Sequence, residues 1–279
     1  MKLTKKILAI VMAVVMLASV CVIGASAAGN KLDFVFVVDT TGSMSDDIDQ
    51  VKSDMNDYID RFEAIGADYR VAIVDYRDFP TRDYCSYEDY AYNVALDFTS
   101  DRDAIIDAIY GLTLGNGGDW EETIYSALID GLDELSWRGD SGKAALVMGD
   151  APALDPEPIT GYTLEDVKAK LLDDTHIEKK DYSTLLASSA ISRAGSRSAV
   201  TLFTIATSGD YETIECFESL AEATNGKSYT AVDSEDITEI IESIIEELPE
   251  TVAQPTFLDK IKAFFKKIFY ILTFQWDKI

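Results

Sequence analysis

Apolar positions along this chain fall into short solid runs separated by stretches with helical spacing. "LDFVFVVD" (32–39) is apolar at nearly every position, the pattern of a strand buried on both faces. The next stretch, 46–66, sets Ile48, Val51, Met55, Tyr58, Ile59 and Phe62 on one helical stripe and reaches Gly66, a helix stop. The same alternation continues. Strands are predicted over 69–78, 93–98, 143–150, 199–207 and 227–233, and helices over 100–112, 121–135, 162–174, 183–193, 214–226 and 234–248.

Strands alternating with amphipathic helices predict an α/β fold: a doubly wound, Rossmann-like, mostly parallel six-stranded sheet with helices on both faces. The strand at 93–98 follows its predecessor through a turn-rich loop rather than a helix, so it is expected as the one antiparallel edge strand.

The two ends depart from this pattern. Residues 1–27 carry Lys2, Lys5 and Lys6, then an apolar core, then "ASAA", the arrangement of a secretory signal peptide. Cleavage is expected after Ala27 or Ala28, with an uncleaved membrane anchor as the rival. The folded domain is expected over 31–248 and a proline-containing linker over 249–256. In 257–279 the charge reverses to five lysines against two aspartates. There Phe257, Ile261, Phe264, Phe265, Ile268 and Leu272 share one helical stripe. Such a basic amphipathic helix suits peripheral contact with an anionic membrane surface, a partner, or the acidic body itself. Its apolar run after Lys267 is too short to span a bilayer.

Loss of the leader takes three lysines and no acid, so a net charge of −26 becomes about −29. That balance excludes a nucleic-acid partner, which would need a basic surface, and it suits divalent cations. His176 is the single histidine, so zinc sites and Ser-His-Asp catalysis lack their parts. No general base stands apart from the candidate ligands, and a non-enzymatic module is expected.

In open α/β sheets ligands sit beyond the carboxyl ends of the strands. Asp39 and Asp150 each close a predicted central strand, and the turn after Asp39 offers Thr41 and Ser43. Hard oxygens of this kind suit Mg²⁺ (or Mn²⁺ or Ca²⁺), with water filling the remaining positions. Taken alone, "DTTGS" also reads as a helix N-cap.

The pattern D-x-T-x-S at Asp39, Thr41 and Ser43 resembles the metal-ion-dependent adhesion site of von Willebrand factor type A domains. "GGDWEET" (117–123) and "VMGDAP" (147–152) resemble that family's second and third site loops, and "VDYRDFP" (74–80) its integrin-β-like and hemicentin-like branch. The resemblance covers about 31–248. It implies a metal set of Asp39, Thr41, Ser43, Glu122 and Asp150, with Glu121 and Thr123 as alternatives at the second-loop position. It also implies an open coordination position that takes an Asp or Glu carboxylate from a protein partner. The signal-peptide pattern, without eukaryotic-type modules, leads us to expect a bacterial cell-envelope or secreted protein. "SMSDDI" resembles an adjacent metal site using Asp46 and Asp47, with Asp119 a further candidate. In relatives the last helix of the domain, here 235–248, shifts on ligand binding.

Tyr84, Tyr87 and Tyr90 in the loop after the second strand, and Trp120 in the glycine loop, are candidate partner contacts. Cys85 and Cys216 remain after processing. The family's strand order implies two strands between them, about 14 Å at ~4.8 Å per strand, a span that a disulfide bridges only through a long loop excursion.

Overall fold

The structure, a computed structural model, describes residues 31–80, 85–173 and 199–251. Six strands form one sheet in the order β3-β2-β1-β4-β5-β6. They are β1 (Lys31–Asp39), β2 (Asp68–Tyr76), β3 (Asn93–Thr99), β4 (Gly142–Gly149), β5 (Thr201–Ala206) and β6 (Ser228–Thr230). All neighbours pair in parallel except β2 and β3, which are antiparallel. The sheet is doubly wound as the periodicity predicts. Its order reverses between β1 and β4, so a crevice opens beyond their carboxyl ends.

The helices are α1 (Ser45–Ala64), α2 (Arg102–Gly111), α3 (Ile124–Ser126, continuing as a π-helical turn over Ala127–Gly131), α4 (Leu164–Asp173), α5 (Tyr211–Glu222) and α6 (Ser234–Thr251). Strand β1 faces two cores. Phe34, Phe36 and Val38 pack with Met55, Ile59 and Phe62 of α1, Ile105 of α2 and Ile241 of α6. Val35 and Val37 pack on the other face with Leu128 of α3, Val167 of α4 and Phe217 of α5. Each such side chain contributes about 1.5–3 kcal/mol by leaving water, which holds the strand ends in fixed register.

Several boundaries move, for local reasons. Helix α3 begins at Ile124 rather than 121, because Glu122 is extended and makes an isolated parallel bridge to Ala153. Glu122 N–H donates to the Pro152 carbonyl (2.9 Å), and Leu154 N–H to the Glu122 carbonyl (3.0 Å). Strand β2 ends at Tyr76, not at Asp78, since the Arg77 carbonyl accepts from Thr123 N–H (3.1 Å) rather than from a ladder partner. Helix α5 begins early because Asp210 caps it, accepting from Thr213 N–H (3.0 Å). Gly66, expected as a stop, lies just beyond α1 with φ +67°, where other residues are strained. Helix α6 runs to Thr251, past Pro249 and into the stretch expected as a linker.

Cys85 and Cys216 are not joined in a disulfide, with β1 and β4 between β2 and β5. The leader 1–27, the helix expected at 183–193, His176, Tyr84 and the basic stretch 257–279 lie outside the described residues. Among the described residues no helix is long and apolar enough to cross a membrane.

Candidate functional site

Strand β1 delivers Asp39 to the crevice fully buried. Its Oδ1 accepts from the Thr41 backbone N–H and the Thr41 hydroxyl, both at 2.8 Å. Its Oδ2 is buried and has no hydrogen-bond partner. That oxygen lies against Gly149 at the end of β4. A Cβ at Gly149 would come within 3.1 Å of Asp39 Oδ2 and 2.4 Å of the Tyr76 hydroxyl. Glycine here lets the two strand ends close on each other.

The turn after Asp39 tightens into a 3-10 segment, Gly42–Met44, closed by Met44 N–H donating to the Thr41 carbonyl (3.2 Å). This brings the Thr41 and Ser43 hydroxyl oxygens to 3.3 Å of each other. Ser43 is exposed and Thr41 nearly buried.

The second loop reaches the same spot. Gly117 has φ +61°, and a Cβ there would meet Thr41 Cγ2 at 3.1 Å and Glu122 Oε1 at 3.2 Å. The Thr41 methyl and Glu122 Oε1 therefore lie against the same glycine. Glu122 Oε2 is buried without a partner. Of the alternatives to Glu122, Thr123 turns away: it is buried, and its hydroxyl is within hydrogen-bonding distance of the Arg77 carbonyl (2.9 Å) and the Ala91 carbonyl (2.6 Å). Glu121 is half-buried.

Asp150 follows β4, and its main-chain carbonyl accepts from Ser208 Oγ (2.9 Å) and Thr213 Oγ1 (3.2 Å). Burial pushes the Asp39 carboxyl up to about 7, and the Asp150 charge adds to the rise against the hydrogen bonds from Thr41. Glu122 is pushed up to about 11, by burial first and then by the charges of Asp39, Asp78, Asp150 and Asp119. Four acids thus act on one buried carboxylate.

The adjacent-site candidates separate. Asp46 is exposed, and so is Asp119 in the glycine loop. Asp47 is buried, and its Oδ1 accepts from Ser234 Oγ of α6 (2.8 Å). Burial raises its carboxyl, with Ser234 and Thr207 opposing. Among the described residues no three His, Cys, Asp or Glu side chains form a ready-made cage for a metal ion. A cation here would draw on the hydroxyls and on water as well as on carboxylates.

The candidate partner contacts also divide. Tyr87 is 87% exposed and Trp120 43% exposed, whereas the Tyr90 hydroxyl is spent inside on Asp75. The periodicity gave no reason to single out Arg77, Asp75, Thr40 or Gly149. An arginine wedged between two acids directly after a strand, "DYRD", was the available signal.

The fold resembles that of proximal thread matrix protein 1 from the mussel byssus, at a TM-score of 0.51 and 13% identity, over 78% of this chain and 46% of that one. A second crystal form of the same protein gives a TM-score of 0.48 at 15% identity, over the same shares of the two chains. The chain thus spans less than half the length of that protein, and the likeness concerns the fold. No curated protein matches its sequence. Residues 33–230, from β1 to the end of β6, match the family described as von Willebrand factor A domain. The chain belongs to the von Willebrand factor A domain family.

Proposed function

We propose that this domain binds a protein partner through a divalent cation held by Asp39, Thr41, Ser43, Glu122 and Asp150. Von Willebrand factor A domains generally mediate protein–protein interaction. The observation that carries the cation reading is a pair of orphaned oxygens. Asp39 Oδ2 and Glu122 Oε2 are buried without partners, and the Thr41 and Ser43 hydroxyls, 3.3 Å apart, stand in the turn that follows Asp39. A buried unsatisfied carboxylate oxygen is costly, and a cation is the partner that removes the cost.

The spacing fits as well. Adjacent ligands of an octahedral Mg²⁺ at about 2.1 Å stand about 3 Å apart, and the Thr41 and Ser43 oxygens are 3.3 Å apart. When bound, the ion would supply an electrophilic centre for an external carboxylate. The chain's own part is to hold three oxygen-bearing loops in one place and to leave exposed aromatics, Tyr87 and Trp120, beside them.

The leader-like 1–27 favours an exported setting, secreted or at a bacterial cell envelope. The hydroxyl and carboxylate set offers ligands rather than a nucleophile and base, which favours a binding module over an enzyme.

Calorimetric titration with Mg²⁺ and with Mn²⁺ tests this reading. Wild type is expected to bind, and Asp39→Ala and Asp150→Ala are expected to bind far more weakly. Wild type without binding, or equal binding by the variants, rejects it. A pull-down in Mg²⁺ and in chelator then tests the partner, which should be lost in chelator.

A further inference from the structure

We propose that Arg77 is a positioning residue for the cation site, fastening the hydroxyl turn, the glycine loop and the 85–92 loop to one another through one guanidinium. The inference rests on the cation reading above.

Arg77 follows β2 directly and is only 5% exposed. Its Nε donates 3.1 Å to the hydroxyl of Thr40, the residue between Asp39 and Thr41. Its Nη2 donates to the Thr113 carbonyl at the start of the glycine loop. Its Nη1 points to the Glu88 carbonyl at 3.4 Å, and its guanidinium carbon lies 4.3 Å from the centre of the Tyr90 ring. Its own carbonyl accepts from Thr123 N–H, beside Glu122. One residue thus touches the hydroxyl turn, the glycine loop, the 85–92 loop and the segment carrying Glu122.

The contacts interlock. Gly115 N–H donates to the Thr40 carbonyl (2.7 Å), and a Cβ at Gly115 would fall 2.4 Å from Arg77 Cδ and 2.7 Å from its Cζ. The glycine loop therefore passes directly against the guanidinium. On the other side, Asp75 Oδ2 takes Thr40 Oγ1 (3.2 Å) and the Tyr90 hydroxyl, and its Oδ1 takes Asn93 Nδ2 (2.9 Å). Asp75 and Arg77 thus meet through Thr40 and Tyr90, and Thr40 cannot rotate without breaking both links. Lysine would keep the charge but lose the fork and the stacking face.

Two effects of Arg77 oppose each other. A positive charge near the site repels a cation, so a purely electrostatic role predicts tighter Mg²⁺ binding once the charge is removed. Positioning predicts weaker binding, because groups that orient ligands typically change metal affinity by about 10–100-fold. The number of hydrogen bonds engaged by Arg77 decides for positioning.

The test uses the purified chain with Arg77→Gln, Arg77→Lys and Thr40→Val. Arg138→Ala, at the opposite end of the sheet, serves as a destabilised control. Folding is checked by circular dichroism. Mg²⁺ affinity is read from the Mg²⁺ dependence of Tm and Mn²⁺ binding from electron paramagnetic resonance. Arg77→Gln is expected to weaken Mg²⁺ and Mn²⁺ binding by about tenfold or more, with Arg77→Lys and Thr40→Val intermediate. Arg138→Ala is expected to lower Tm and leave the Mg²⁺ midpoint in place. Wild-type or tighter affinity in the folded Arg77 variants overturns the proposal while leaving the cation site standing. If Arg77→Gln does not fold, Arg77→Lys and Thr40→Val decide by the same criterion. Wild type that binds neither ion overturns this inference together with the cation reading.

Discussion

The hydroxyl of Ser234 donates a 2.8 Å hydrogen bond to Oδ1 of Asp47. Ser234 opens α6, and Asp47 lies in the first turn of α1, directly after the hydroxyl turn. The last helix is therefore tied to the candidate site through one buried carboxylate. Amide exchange in 235–248 should slow when Mg²⁺ is added to wild type. In Ser234→Ala the fold should persist and this response should shrink. Exchange indifferent to Mg²⁺ in wild type would refute the coupling.

Gly149 sits where a side chain has no room. An added Cβ would lie 2.4 Å from the Tyr76 hydroxyl, which is fully buried and cannot swing away. Gly149→Ala should destabilise by about 1–3 kcal/mol through overpacking and displace Asp39 Oδ2. Urea denaturation should show the loss, and Tyr76→Phe in the same background should recover part of it. Mg²⁺ binding should stay impaired in both, because the contact with Asp39 remains.

Glu157 provides a pH dependence away from the site. It is buried and accepts from Ser126 N–H (2.7 Å), Ser126 Oγ (2.5 Å) and Thr160 Oγ1 (2.6 Å). Burial pushes its carboxyl up from 4.5 to about 7, against those bonds. The folded state then holds a proton that the unfolded chain releases. The associated stability is complete below the unfolded value and is lost as pH rises through about 7. The span is on the order of 3 kcal/mol. Glu157→Gln stays neutral and should lose less stability than wild type between about pH 5 and 8. Parallel curves for the two proteins, by urea denaturation, would refute the assignment.

Asp33 has the opposite sign. Burial alone would raise its carboxyl, but hydrogen bonds from Arg70, Arg138 and Ser141 outweigh this and hold it below 3.8. The contacts are Arg70 Nε at 3.0 Å, the Arg138 backbone N–H at 2.8 Å and Ser141 Oγ at 2.8 Å, with Arg138 Nε a further donor at 2.9 Å. This stability is present at neutral pH and is lost as pH falls through the depressed folded value. Asp33→Ala should destabilise by about 3 kcal/mol, leaving two guanidinium groups short of their partner. Since Asp33 lies at the other end of β1 from Asp39, Mg²⁺ affinity should be unchanged. A matching loss of affinity would show that the two ends are coupled.

Much of the fold was legible because its signals are local. The solid run at 32–39 and the stripe from Ile48 to Phe62 each report burial through a period that no distant residue alters. The antiparallel edge strand was legible from a missing helix. Helix α3 was misjudged at its start, because Glu122 pairs with Ala153, a partner 31 positions away by sequence numbering. No helical period carries that information. Strand β2 likewise stops short, since Arg77 is drawn to Thr40, Thr113 and Thr123.

By itself, the amino-acid order determined the alternation of strands and helices, the acidic balance and the candidate oxygens at Asp39, Thr41, Ser43 and Asp150, while Glu122 entered through the family resemblance, with Glu121 and Thr123 beside it. The former properties depend on residue type and short spacing. Tertiary structure alone decided which oxygens are left without partners, that Thr123 turns inward, that Asp47 is held by Ser234, and that Arg77 stands behind the site. Each of these depends on how separate segments meet across the sheet. That meeting is governed by the packing of both cores and by close approaches at Gly115, Gly117 and Gly149, which nothing in the local pattern records.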